Sequence, residues 1–89
     1  MSNSTEFLTA IDYVKKLKST PDNDDLLNLY KYYKQATSGD NNTEKPSFIN
    51  FKANKKWEAW NSIKGMGKYD SEVAYIKLVN LMIKKYGVN

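Results

Sequence analysis

The chain has 89 residues, a net charge of +4, 40% hydrophobic and 27% charged residues, and neither cysteine nor histidine. That is one small domain, able to bury about 60% of the surface its unfolded chain would expose, and it is neither disordered by composition nor carrying an apolar run near the ~18 residues that a membrane helix needs. The missing cysteine and histidine exclude disulfides, thiol chemistry, sulfur-ligated metals and a histidine base or catalytic triad, so the expectation is a protein that is not an enzyme and needs no metal or cofactor.

Four helical segments can be read in chain order, at about residues 3–18, 21–38, 51–64 and 68–86, and nothing reads as a strand, so the expected fold class is all-α, with residues 1–89 as a single domain. In the first, Asn3 with Glu6 three residues later imitates a capping box. Phe7, Ala10, Ile11, Val14 and Leu17 then form one apolar stripe. Thr20-Pro21 offers a cap followed by proline at the first helical position, with Asp22, Asp24 and Asp25 at the favourable end of the helix dipole. Leu26, Leu29, Tyr30 and Tyr33 follow helical spacing, and Gly39 supplies the stop.

Residues 40–47 are a loop by composition, restricted at Lys45 by the following proline, and Phe48 and Ile49 are expected to fold back onto the bundle. The third helix has Asn50 as its cap, with Trp57, Trp60 and Ile63 inward, and ends at Gly65-Met66-Gly67. The last carries Val73, Ile76, Val79, Ile83 and Tyr86 on one stripe, with Tyr75, Leu78 and Met82 beside it, and closes at Gly87 with Lys84 and Lys85 suited to a helix C-terminus. The amino-terminal residues lack a charged region followed by an apolar stretch, so a cytoplasmic location is expected.

All fourteen basic residues are lysine, a flexible point charge for phosphate and not the planar fork that reads base edges. They lie beside aromatic rings in Tyr30-Lys31-Tyr32-Tyr33-Lys34 and again in Phe51-Lys52 through Lys56-Trp57. At helical spacing Tyr30, Tyr33 and Lys34 share a face, and Lys52 and Lys56 are four apart. Such a surface suits a flat, phosphorylated ligand. By residue type alone the tyrosines read equally as core aromatics with their hydroxyls at the rim, and the lysines as a solvated face.

The ordered motifs decide between these readings. Pro21, Leu29-Tyr30, Tyr33-Lys34-Gln35-Ala36-Thr37, Gly39-Asp40 and Asn42-Thr43-Glu44-Lys45-Pro46 are followed by Phe51-Lys52, Lys56-Trp57-Glu58-Ala59-Trp60-Asn61, Lys64-Gly65, Ala74-Tyr75-Ile76 and Lys84-Lys85-Tyr86-Gly87. Over nearly its whole length the chain resembles the acyl-CoA-binding protein family. The resemblance implies a four-helix bundle of up-down-down-up topology, with the first and last helices antiparallel and a long loop crossing between the second and third. It implies a bowl-like site that holds the nucleotide end of a fatty acyl-CoA at the surface and its acyl chain in an apolar groove.

By the same resemblance Tyr30, Lys34 and Lys56 hold the ribose 3′-phosphate and Tyr33 lies against the adenine, with supporting contacts from Lys15, Lys52 and Tyr75. Lys31 and Tyr32 depart from the family pattern and are possible additional contacts. Asn41 stands where the family has an apolar residue, and Ser47 where it has glycine. Leu26, Leu27 and Ile49 are candidates for the wall along the acyl tail. The implied function is a monomeric carrier and buffer of medium- and long-chain acyl-CoA that serves acyl-CoA-using enzymes, with no nucleic acid and no integral membrane association. Two other classes fit the same residues: a basic nucleic-acid-binding module and a helical protein-interaction module.

Overall fold

The computed structural model describes residues 3–89, so Met1 and Ser2 of the expected domain lie outside the described residues. Among the described residues there are four helices: α1 Thr5–Val14, α2 Asn23–Ser38, α3 Phe51–Asn61 and α4 Lys68–Tyr86. Helix α4 packs against α1 and α2, and α2 packs in turn against α3. Helix α2 is therefore the shared wall between two halves.

The caps of α1 and α2 sit one or two residues from the expected ones. Ser4, not Asn3, caps α1, its hydroxyl accepting from the Phe7 amide at 3.2 Å. Asp22, not Thr20, caps α2 by accepting from the Asp25 amide at 2.9 Å, and Pro21 is buried just before it. Asn50 caps α3 as expected, accepting from the Ala53 amide at 3.1 Å. Helix α1 stops at Val14 because the next amides turn back by three residues, Lys15 to Asp12 and Lys16 to Tyr13. The chain then pairs with the carboxyl-terminal tail: Lys18 N donates to Gly87 O at 2.9 Å and Asn89 N to Lys16 O at 3.0 Å, an isolated antiparallel bridge between Leu17 and Val88. Helix α3 likewise ends at Asn61 and runs into turns over 62–65, closed by Gly65 at a φ of 95°.

Hydrogen bonds at both ends fix the directions. Asn3 and Ser4, before α1, donate to Glu72 in the first part of α4, while residues 16–18 meet 87–89, so α1 and α4 run parallel. This overturns the expected antiparallel pair, which an up-down-down-up order could not have contained. At the start of α2, Asp25 meets Lys85 and Tyr86 near the end of α4, so those helices are antiparallel. Helices α2 and α3 run parallel, their starts flanking one cavity and their ends joined where Trp60 Nε1 donates to Gly39 O at 2.9 Å. The up-down-down-up bundle stands.

The core lies between α1, α2 and α4: Phe7, Ala10, Leu29, Ala36, Tyr75, Val79 and Met82 are buried, with Ile11, Val14, Ile76, Ile83 and Tyr86 packed around them. The deepest row of α4 is thus Tyr75, Val79 and Met82, so Tyr75 and Met82, expected beside the main stripe, join Val79 of that stripe at the centre. Burying even these few large side chains contributes about 1.5–3 kcal/mol each. Phe48 and Ile49 do not fold back; they are 81% and 73% exposed.

Polar side chains tie the halves together. Asn3 Nδ2 donates to Ala36 O at 3.0 Å and to Glu72 Oε2 at 2.7 Å, so one amide satisfies a carbonyl near the end of α2 and a buried carboxylate of α4. Burial pushes the Glu72 carboxyl up, but the bonds from Asn3 and from the Ser4 amide outweigh it and hold it below its ordinary value. Asp40 Oδ1 accepts from Gly65 N at 2.7 Å and Gln35 Nε2 at 2.8 Å, which ties the end of α2 to the turn before α4.

Candidate functional site

A cavity of about 560 Å³ opens between α2 and α3, lined by Asn23, Asp24, Leu26, Leu27 and Tyr30 on one side and Lys52, Lys55 and Lys56 on the other. A second hollow of about 300 Å³ adjoins it, lined by Tyr30, Thr43, Glu44, Pro46, Ala53, Lys56, Trp57 and Trp60. Tyr30 and Lys56 belong to both and form the ridge between them. The first has apolar walls in Leu26 and Leu27 and a cationic rim; the second is framed by indole rings.

Across the α2–α3 seam lysines and rings are exchanged. Lys34 of α2 holds its ammonium 4.7 Å from the Trp60 ring of α3, and Lys56 of α3 holds its own 4.7 Å from the Tyr30 ring of α2. Each pair contributes about 0.5–1 kcal/mol at an exposed site and fixes a flexible lysine in place. Four predicted residues, Tyr30, Lys34, Lys52 and Lys56, are therefore gathered on this seam. The ridge is also braced from the loop: Trp57 Nε1 donates to Thr43 O at 3.1 Å, and buried Asn41 donates to Trp57 O at 3.3 Å while accepting from the Thr43 amide at 3.0 Å. Asn41, the departure from the family pattern, thus replaces apolar burial with three-way hydrogen bonding.

Tyr33 and Tyr75 form a separate cluster. The Tyr33 ring stacks at 6.3 Å from Phe7 of α1 and lies 6.3 Å from Tyr75 of α4, while Phe7 and Tyr75 meet edge-on at 5.0 Å. Tyr33 stays 39% exposed, whereas Tyr75 is buried and burial pushes its hydroxyl pKa up to about 12. So Tyr33 does not share the face of Tyr30 and Lys34 closely; it turns toward α1 and α4. Lys31 reaches over its neighbour Tyr32 at 5.1 Å, and Tyr32 packs against the core cluster. Lys15, the C-cap of α1, is exposed and lines neither cavity. Leu26 and Leu27 line the larger cavity as expected, and Ile49 does not.

Lys55 was missed among the expected residues, though it lies three residues from Lys52 and its spacing was available as a signal. Asn54 was also missed. It is buried and donates to Ser47 O and Asn50 O, pinning the turn that leads into α3. Among the described residues no group of histidine, cysteine and carboxylate side chains could hold a metal ion.

The profile of the family described as "Acyl CoA binding protein" matches residues 4–79, and the chain belongs to that family. It is 50% identical over 74 residues to acyl-CoA-binding protein homolog 1 of Caenorhabditis elegans, covering 83% of this chain and 86% of that one. It is 51% identical over 73 residues to the acyl-CoA-binding protein of Saccharomyces cerevisiae, covering 82% and 84%. Among solved structures, that of an acyl-CoA-binding protein from Moniliophthora perniciosa superposes with a TM-score of 0.86 at 32% identity, covering 99% of this chain and 87% of that one. No helix among the described residues is long and apolar enough to cross a membrane.

Proposed function

We propose that this protein binds medium- and long-chain fatty acyl-CoA esters without covalent chemistry, carrying and buffering them in the cytoplasm as a monomer for the enzymes that use them. The observation that carries this reading, beside the family, is the pair of adjoining hollows on the α2–α3 seam with a shared cationic ridge. The larger falls within the range of about 300–1,000 Å³ of small-molecule sites. A dozen buried methylenes at about 0.8 kcal/mol each supply up to roughly 10 kcal/mol before ordering costs, so the tail sets the affinity.

The head group supplies orientation. Lys34 and Lys56 are held by Trp60 and Tyr30 where a phosphate could draw them off the rings, and Tyr30 sits between the two hollows. Stacking of adenine on the exposed Tyr33 adds ~1–3 kcal/mol, more than either exposed lysine–phosphate pair at about 0–1 kcal/mol. Lys52 extends the cationic rim, Tyr75 backs Tyr33 from α4, and Lys31 lies over the Tyr32 ring. Lys15 has the weakest support, being outside both hollows. The nucleic-acid and protein-interaction readings draw no support from the family.

Calorimetric titration with myristoyl-CoA, free CoA and free myristate tests the proposal. The expected result is tight one-to-one binding of the ester and weak binding of either fragment. An ester held no better than free CoA would overturn it.

A further inference from the structure

The lysines along the α2–α3 seam are of two kinds. Lys34 and Lys56 are held over the Trp60 and Tyr30 rings at 4.7 Å. Lys52 and Lys55 are exposed, and none of the ion pairs or ring contacts among the described residues engages either of them. Both nevertheless line the larger cavity, beside Lys56. Like charges three and four residues apart on a helix destabilise it, so Lys52 with Lys55 and Lys52 with Lys56 cost the fold something. The one carboxylate in that lining, Asp24, belongs to α2 on the opposite wall. The α3 wall is therefore a concentration of positive charge that the chain itself leaves without a counter-charge beside it.

The covalent structure of the proposed ligand says where its charges must fall. The function proposed above gives Tyr30, Lys34 and Lys56 to the ribose 3′-phosphate, and CoA carries a second anion, the diphosphate on the 5′ carbon of the same ribose. A 3′-phosphate on the Tyr30–Lys56 ridge thus puts the diphosphate one sugar away, on one side of the ridge or the other. On the side of the smaller hollow the lining offers Glu44 and no cation beyond Lys56. On the side of the larger cavity stand Lys52 and Lys55. Leu26 and Leu27, the apolar walls, line that same cavity, nearer the start of α2 than Tyr30. Ridge, lysine pair and apolar wall therefore follow one another in the order in which 3′-phosphate, diphosphate and acyl arm are bonded together.

We propose that Lys55, with Lys52 beside it, holds the diphosphate of the ligand, which makes Lys55 a further specificity-determining residue of this site. The inference deepens the function proposed above and rests on it. Lys55 is absent from the contacts that the family resemblance implies, and only its place in the cavity lining brings it forward. A flexible ammonium group suits a diphosphate, which offers several oxygens over a short span and asks for charge more than for a fixed fork. The head group is then read by two separate sets of cations: Lys34 and Lys56 for the 3′-phosphate, Lys52 and Lys55 for the diphosphate. A lysine that merely solvated the surface would be indifferent to which phosphates the ligand carries.

The test is calorimetric titration of the full chain with four ligands: myristoyl-CoA, 3′-dephospho-myristoyl-CoA, S-myristoyl-pantetheine and free CoA. Lys55→Ala should weaken myristoyl-CoA, its dephospho form and free CoA by the same factor, about threefold, within what one exposed ion pair supplies. It should leave S-myristoyl-pantetheine, which has no diphosphate, bound as by the wild type. Lys56→Ala should weaken myristoyl-CoA clearly and the dephospho ester much less. Lys55→Arg, which keeps the charge, should bind as the wild type does, and the urea midpoint of all the Lys55 variants should stay at the wild-type value. No loss on Lys55→Ala would overturn the proposal, and so would a loss that vanishes with the dephospho ester, which would move Lys55 to the 3′-phosphate. An equal loss with S-myristoyl-pantetheine would overturn it too, by assigning Lys55 to the acyl arm or the fold. A wild type that holds myristoyl-CoA no better than free CoA would instead remove the carrier function, while a threefold loss of free CoA on Lys55→Ala would still uphold the diphosphate contact.

Discussion

The two halves that share α2 are built on opposite terms. On the α1–α4 side, Phe7, Tyr75, Val79 and Met82 are almost wholly buried, and the polar groups among them, Ser71 and Glu72, are buried with hydrogen-bond partners. On the α3 side, contact is made by lysines lying over rings and by indole and amide side chains reaching backbone carbonyls, around a cavity that stays open. One half supplies stability and the other keeps surface in reserve for a ligand. The difference explains why the domain can leave apolar walls uncovered: α2 is held firmly from behind.

The comparison would break if substitutions in the two halves failed to separate stability from binding. The largest effect is expected from Phe7→Ala, which removes a fully buried ring that touches both Tyr33 and Tyr75. It should cost about 3–5 kcal/mol in urea unfolding, a large part of the ~5–15 kcal/mol that a domain of this kind possesses. Next comes Lys34→Ala with Lys56→Ala. Two cation–π contacts are lost, for a stability change of about 1–2 kcal/mol, while two phosphate partners at up to about 1 kcal/mol each are removed from the proposed site. Calorimetry should therefore show acyl-CoA affinity lower by about tenfold, which corresponds to 1.4 kcal/mol, with the unfolding midpoint lowered much less than by Phe7→Ala. A double variant that unfolds readily yet binds normally would assign these lysines to the fold.

The all-α class, the four helices and the bounds of α4 were legible because apolar spacing and Gly39, Gly65 and Gly87, all at positive φ, punctuate the chain plainly. The caps of α1 and α2 were not, although Asn50 was read correctly for α3, because Asn3-Ser4-Thr5 and Thr20-Pro21-Asp22 each offer several competent cap residues in succession, and only backbone geometry chooses among them. Helix direction was carried by the family resemblance alone, since spacing contains no vector. Phe48 and Ile49 read as inward because apolarity is normally buried; their exposure violates that expectation. On the candidate site, Tyr30, Lys34, Lys52 and Lys56 share one seam as their spacing suggests, but the turn of Tyr33 toward Phe7 depends on contacts between helices far apart in sequence. Glu72 was invisible for the same reason, since a glutamate in a helix ordinarily faces solvent.

Glu72 also provides the smallest and most specific test of the stable half. Hydrogen bonds from Asn3 and Ser4 prevail over burial and keep its folded-state pKa below the ordinary carboxylate value. A carboxyl group depressed in the folded state contributes stability that is fully present above the unfolded value of about 4.3 and is lost as pH falls through the folded one. The urea midpoint of the wild type should therefore fall between about pH 5 and pH 3, as protonation weakens the attachment of the Asn3–Ser4 segment to α4. Asp25, lowered by the Tyr86 hydroxyl and Lys85, and Asp40, lowered by the Gly65 amide and Gln35, contribute with the same sign. Glu72→Gln keeps an oxygen that can accept both bonds but cannot titrate, so its midpoint should fall less steeply over the same interval while the Asp25 and Asp40 contributions persist. Parallel wild-type and variant curves would instead place the acid sensitivity at Asp25 and Asp40, outside the α1–α4 junction.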